Sequence, residues 1–160
     1  MPKKSSRRSS SLRPPKPSRR RRPTILRRAA RDSAVASTPA RPRDPQLEEG
    51  IALFNAHQFF KCHEVLEQRW LTISDGSKDF YKGLIQAAVA FYHWSRDNPA
   101  GALTLASSAR RYLTRYGPVY GGVDLESFLP KFSELFQWLR RHRMRYDPRL
   151  VPVIRLTDVV

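Results

Sequence analysis

Between Lys78 and Arg96 the chain is apolar on nearly every side of a helical projection, through Phe80, Leu84, Ile85, Ala87, Ala88, Val89, Phe91 and Trp94. A helix of that kind has to be enclosed by others. The flanking segments supply the enclosure at helical spacing. Asp44-Pro45 sets up a first turn for a helix over about Gln46 to Ala56, with Leu47, Ile51 and Phe54 on one stripe. Asn55 and His57 are terminators, and Phe59 or Phe60 opens a second helix reaching about Ile73. Ser74-Asp75-Gly76-Ser77 is turn chemistry. After the central helix, Asp97-Asn98-Pro99 is a stop and restart, with Asn98 as N-cap and Pro99 at the first helical position. The fourth helix reaches about Tyr116 and buries Ala102, Leu105, Ala106, Ala109, Tyr112, Leu113 and Tyr116, which leaves Arg110, Arg111 and Arg115 facing water. A last helical region runs from Asp124 to about His142; Pro130 is expected to divide it, and Phe132, Leu135, Phe136, Leu139 and Trp138 to be buried. No run alternates long enough for a sheet. The expected fold class is all-α, a compact bundle of about five helices over residues 44–145. Residues 146–160 follow as an extended segment, and residues 1–43 precede it as a disordered basic tail.

Charge separates the tail from the domain. Residues 1–43 hold 15 of the 30 Lys and Arg and one of the 14 acids, a net +14 of the total +16. The other 117 residues carry a net +2, ordinary for a soluble domain. Arg19, Arg20, Arg21 and Arg22, followed by Arg27 and Arg28, make the tail a candidate for nonspecific association with nucleic acid or another polyanion through counterion release. It contains no aromatic residue to stack on bases. The bland alternative is a solubilising extension. With Cys62 as the single cysteine, an intrachain disulfide and a cysteine metal cluster are excluded. No apolar run has membrane-spanning length or the form of a secretory signal. The expected location is cytoplasmic, with an Arg/Ser-rich organelle transit peptide as the alternative.

Chemistry concentrates in the second and third helices. His63 and Glu67 are four apart and share a face with Phe60 and Trp70, whereas Glu64 points about 100° away and is expected to pair with Lys61. On the third helix Gly83, Gln86, Ala90 and His93 form one stripe. If the stripes meet, His63, Glu67, Trp70, Gln86 and His93 surround a semi-buried polar cluster. Three readings stand open. Glu67 orients the His63 ring while Gln86 satisfies the remainder, an internal network that specifies helix docking. Alternatively His63 and Glu67, with His93 as a third ligand, hold a divalent metal in the manner of His-Glu-x-x-His motifs, glutamate standing here in place of the second histidine. In the third, His63 and Glu67 are acid-base groups of a small-molecule pocket. Cys62 reads as a small core residue, and Tyr112, Tyr116 and Tyr120 as packing.

Phe54-Asn55, Phe59-Phe60, His63-Glu64-x-x-Glu67-x-x-Trp70, Gly83-Leu84-Ile85-Gln86, Tyr92-His93 and Asn98-x-x-Gly101-Ala102 together resemble the signature of domain-of-unknown-function family 309, small all-helical proteins mainly of bacteria. The resemblance covers roughly residues 46 to 142 and omits the tail. It implies a compact helical fold and, through the His-Glu motif, a metal-dependent hydrolase label carried by some members. It also makes His63, Glu64, Glu67, Trp70, Gln86 and His93 the signature residues. Lys61-Cys62 departs from the acidic and small residues usual there, which removes one potential ligand. The leading expectation is a ligand- or partner-binding module, with metal-dependent hydrolysis at His63 and Glu67 as the alternative.

Overall fold

The computed structural model describes residues 43–157. The basic stretch containing Arg19, Arg20, Arg21, Arg22, Arg27 and Arg28, and the rest of the tail up to residue 42, lie outside the described residues. Within them the order is α1 (Pro45–Asn55), α2 (Phe59–Thr72), α3 (Lys78–Ser95), α4 (Pro99–Leu113), β1 (Val119–Tyr120), β2 (Val123–Asp124) and α5 (Leu125–His142), then a single 3₁₀ turn, Pro148–Leu150. The protein is all-α, with five helices among the described residues.

Helix starts follow the sequence chemistry. Asp44 caps α1 by accepting from the Gln46 amide at 3.0 Å, and Asn98 caps α4 by accepting from the Gly101 amide at 3.0 Å. Each is followed by proline at the first helical position, where no amide hydrogen is required. Asp124 caps α5 in the same way through Ser127. The ends of α1, α3 and α5 are turned by left-handed residues, His57, Asp97 and Arg143, rather than by glycine. Asp and His tolerate that region better than most side chains.

α3 is enclosed as expected, with Phe80, Leu84, Ala87, Ala88, Ala90, Phe91 and Trp94 all buried. Phe91 is the meeting point of four helices: its ring lies 5.5 Å from Phe54 of α1, 5.4 Å from Phe59 of α2, and 5.8 and 5.1 Å from Phe132 and Phe136 of α5. α3 approaches α4 through Gly83, about 80° round the helix from Phe91. A methyl group there would stand 2.7 Å from the Leu113 side chain, which is itself fully buried.

Three expectations are corrected. Pro130 lies inside α5 without dividing it. It is exposed, so the carbonyl it leaves without a donor can be hydrated, and buried Phe128 and Phe132 hold the helix down on either side of it. Trp138 is 44% exposed, because the buried stripe runs through Phe128, Phe132, Leu135, Phe136 and Leu139 and residue 138 falls about 100° off it. A two-residue antiparallel hairpin, β1–β2, occupies part of the loop after α4, with Gly121 and Gly122 supplying the paired positive φ values its turn demands.

The segment after α5 packs on the helices. Asn55 works as a surrogate strand edge: its side-chain amide donates to the Ile154 carbonyl at 2.8 Å, and its oxygen accepts from the Ile154 amide at 2.9 Å. Trp94 Nε1 donates to the Met144 carbonyl at 2.9 Å, and Leu156 bridges to Val123.

Gly83→Ala is expected to destabilise the protein by about 1–3 kcal/mol, because the added methyl must displace a buried leucine. Asn55→Ala is expected to cost about 1–3 kcal/mol and to raise amide exchange at Ile154. Chemical denaturation and hydrogen exchange check both, and unchanged exchange at Ile154 would remove Asn55 from its bridging role.

Candidate functional site

α2 lies with Phe59, Cys62 and Leu66 in the core, so residues on the edge of that stripe are only half-buried. His63 and Trp70 sit on that edge, with Glu67 further out. His63 Nε2 stands 3.4 Å from Glu67 Oε2, the histidine side chain being 24% and the glutamate 49% exposed. Phe60 flanks His63 at 5.7 Å between ring centres and reaches Tyr92 of α3 at 5.5 Å. The Lys78 ammonium lies 4.8 Å above the Trp70 ring. Glu67 and Phe60 beside His63, with Lys78 over Trp70, are long or exposed side chains.

Three buried polar atoms have no hydrogen-bond partner among the described residues: His63 Nδ1, Trp70 Nε1 and Gln86 Oε1. The indole can only donate, the amide oxygen can only accept, and the imidazole nitrogen does either according to its tautomer. Gln86 therefore does not complete an internal network with His63, contrary to the first expectation for this cluster. Each unpaired group costs on the order of 1–3 kcal/mol.

His93 is engaged elsewhere. Its Nδ1 lies 3.0 Å from the Asn98 side-chain nitrogen, whose amide donates while the Asn98 oxygen caps α4. That bond places the histidine proton on Nε2 when the ring is neutral. His93 thus pins the α3–α4 junction, and Phe60 and Tyr92 stand in the chain of ring contacts from His63 to it. Among the described residues no group of three or more His, Cys, Asp or Glu is placed to hold a metal. The donor set around His63 and Glu67 does not fit a divalent cation. Lys61 and Glu64 are both exposed, and the expected pair between them is not formed among the described residues. Cys62 is buried, and that burial pushes its thiol up to about 12, which suits a core residue and not a nucleophile.

The polar centre that sequence reasoning passed over is Asp44. Besides capping α1, its carboxylate accepts from Arg69 Nε of α2 and from the Tyr81 hydroxyl of α3 at 2.8 Å, tying three helices at one point. Burial pushes the Asp44 carboxyl upward, but Arg69, Tyr81 and the Gln46 amide together outweigh it and hold the group below the usual carboxylate range. The Asp-Pro helix start was the one visible signal; nothing in sequence spacing pointed to Arg69 or Tyr81.

A carboxyl held low in the folded state contributes stability that is complete above the ordinary range near pH ~4 and is lost as pH falls through the lowered folded value. Asp44→Asn is expected to cost about 1–3 kcal/mol at neutral pH, and the difference from the parent should shrink as pH falls below about 4. Thermal melts across pH check this; a difference independent of pH would show that the charge is not what matters.

Residues 47–105 match the family described as "Domain of unknown function (DUF309)". The chain is 43% identical over 56 residues to "Uncharacterized protein YpuF" of Bacillus subtilis (strain 168), a stretch covering 34% of this chain and 32% of the relative. It is 29% identical over 80 residues to an "Uncharacterized protein" of Aquifex aeolicus (strain VF5), covering 49% of this chain and 24% of that one. The matched stretches thus span about a third and about a quarter of these curated relatives. His63, Glu67, Trp70, Gln86 and His93 all fall inside the matched residues. Among the described residues no helix is long and apolar enough to cross a membrane.

Proposed function

From the match of residues 47–105 to the DUF309 family model, we propose that the α2–α3 surface around His63 and Trp70 is a binding site for a polar ligand or partner segment. The observation that carries this reading is the set of buried, unpartnered atoms His63 Nδ1, Trp70 Nε1 and Gln86 Oε1. One fixed donor, one fixed acceptor and one adaptable nitrogen suit a group that both donates and accepts, such as an amide. In the free protein Glu67, Phe60 and Lys78 cover part of this set, and their movement would expose it. The cost of leaving the three groups unpaired would be recovered on binding. Glu67, 3.4 Å from His63, would select the imidazole tautomer the ligand meets. Metal-assisted hydrolysis would rest on His63 and Glu67 alone, and no observation favours it. A second activity, association with a polyanion through residues 1–43, is supported by their net charge of +14.

Acetamide is a probe with the required chemistry, and the three tryptophans provide internal controls. Trp94 Nε1 is already bonded to Met144 and Trp138 is exposed, whereas Trp70 Nε1 is buried and unpartnered. Titration is expected to move the Trp70 indole N–H resonance in a saturable way, to leave Trp94 fixed, and to shift Trp138 at most linearly. A Trp70 resonance as inert as that of Trp94 would count against the site. Gln86→Met, which removes a buried unpaired acceptor while keeping the side-chain length, is expected to raise stability by about 1 kcal/mol and to abolish the saturable shift.

A further inference from the structure

The acids of the domain lie early in the chain and its bases late. Residues 44–98 hold eight Asp and Glu against five Lys and Arg, a net −3. Residues 99–157 hold four against ten, a net +6. Within the second group, residues 99–123 contain no carboxylate side chain at all. This stretch includes the whole of α4.

We propose that the outer face of α4, with the cleft it forms against α5, binds the phosphodiester backbone of a nucleic acid. The outer face of α4 and its C-terminal end presents Thr104, Ser107, Ser108, Arg110, Arg111 and Thr114. Thr104 and Thr114 already donate to the Ala100 and Arg111 carbonyls, and the Ser107 and Ser108 hydroxyls with two guanidiniums and no carboxylate make a surface suited to phosphate oxygens. Ser107 and Arg110 also line the adjoining cleft, about 200 Å³, where Arg140 of α5 stands on the other helix. Arg115 is already committed to Asp79 at 3.1 Å. Arg110 and Arg140 make no ion pair among the described residues, and Arg111 only a long contact to the Ser108 hydroxyl at 3.4 Å and a stacking contact with Tyr112. Their charges remain available to an external anion.

The partner follows from charge complementarity and from what this face lacks. Among the described residues the large exposed apolar ones are Phe60, Leu71, Val119, Trp138, Leu150 and Val153, and none of them lies on α4. A membrane surface would need such a residue to insert. An extended polyanion fits better, because the same chain carries a second basic region, residues 1–43, whose net +14 has no aromatic to stack on bases. The α4 face is distinct from the α2–α3 site, and Arg110, Arg111 and Arg140 all lie outside the residues matched to the family.

The test uses the full-length chain and a labelled mixed-sequence RNA oligonucleotide, with affinity followed over a range of salt. For the combined variant Arg110→Gln, Arg111→Gln, Arg140→Gln, the slope of log K against log salt is expected to fall by about two, since each phosphate no longer neutralised removes about 0.7, and affinity at low salt should drop about tenfold. A separate variant, Ser107→Glu with the arginines intact, should weaken binding by repulsion, and thermal melts of both should match the parent. Replacing Arg19 to Arg22 by Gln should lower the slope independently. Unchanged slope and affinity in both α4 variants, or no RNA binding by the parent chain at any salt, overturns the proposal. So does an outcome in which the triple variant loses binding to phosphatidylserine vesicles or to polyglutamate but retains RNA binding, because the face would then serve a different partner.

Discussion

Phe91 is the residue on which the rest of the fold depends. Its ring touches Phe54, Phe59, Phe132 and Phe136, so α1, α2 and α5 are all registered against α3 at one position. Burial of a phenylalanine is worth about 1.5–3 kcal/mol by area alone, and edge-to-face contacts add to that. More important is position: a shift of α1, α2 or α5 along its axis would break its ring contact with Phe91. The aromatic core leaves no space for polar groups, and among the described residues no polar or charged one is fully buried. The polar chemistry is confined to helix edges.

Two such edges have different consequences. At Asp44 the polar groups complete one another: cap, guanidinium and phenol converge on one carboxylate, and the result is a tie between α1, α2 and α3. At His63, Trp70 and Gln86 they do not. Folded proteins pair nearly all buried polar groups, and the three orphans on these two packed helices are what supports the proposed binding site. The charge asymmetry adds a third region, the carboxylate-free α4, which packs on α3 and on α5.

Much of the architecture was legible because local signals agreed with the global pattern. Asp44-Pro45 and Asn98-Pro99 mark helix starts by side-chain chemistry that needs no tertiary information, and α3 declares itself by having no polar face. What was illegible depended on geometry between elements. Pro130 reads as a break because sequence cannot show that its helix is held on both sides by buried phenylalanines. Trp138 reads as core because a one-residue phase error on a helix moves a side chain by about 100°. Asn55 reads as a terminator, and its two bonds to Ile154 span 99 residues. For the site, the His63–Glu67 pair followed from spacing alone, whereas the failure of Gln86 to complete it could only be seen with both helices in place.

His63 Nδ1 and Gln86 Oε1 have no partner among the described residues and do not close one internal network, and the reading of the α2–α3 surface as a binding site stands on that. A double-mutant cycle with His63→Phe and Gln86→Met, measured by equilibrium unfolding, tests it directly. Neither single substitution is expected to destabilise the protein by more than about 0.5 kcal/mol, and the coupling energy should stay below about 0.5 kcal/mol. Two destabilising substitutions coupled by more than about 1 kcal/mol would show a closed network and contradict it.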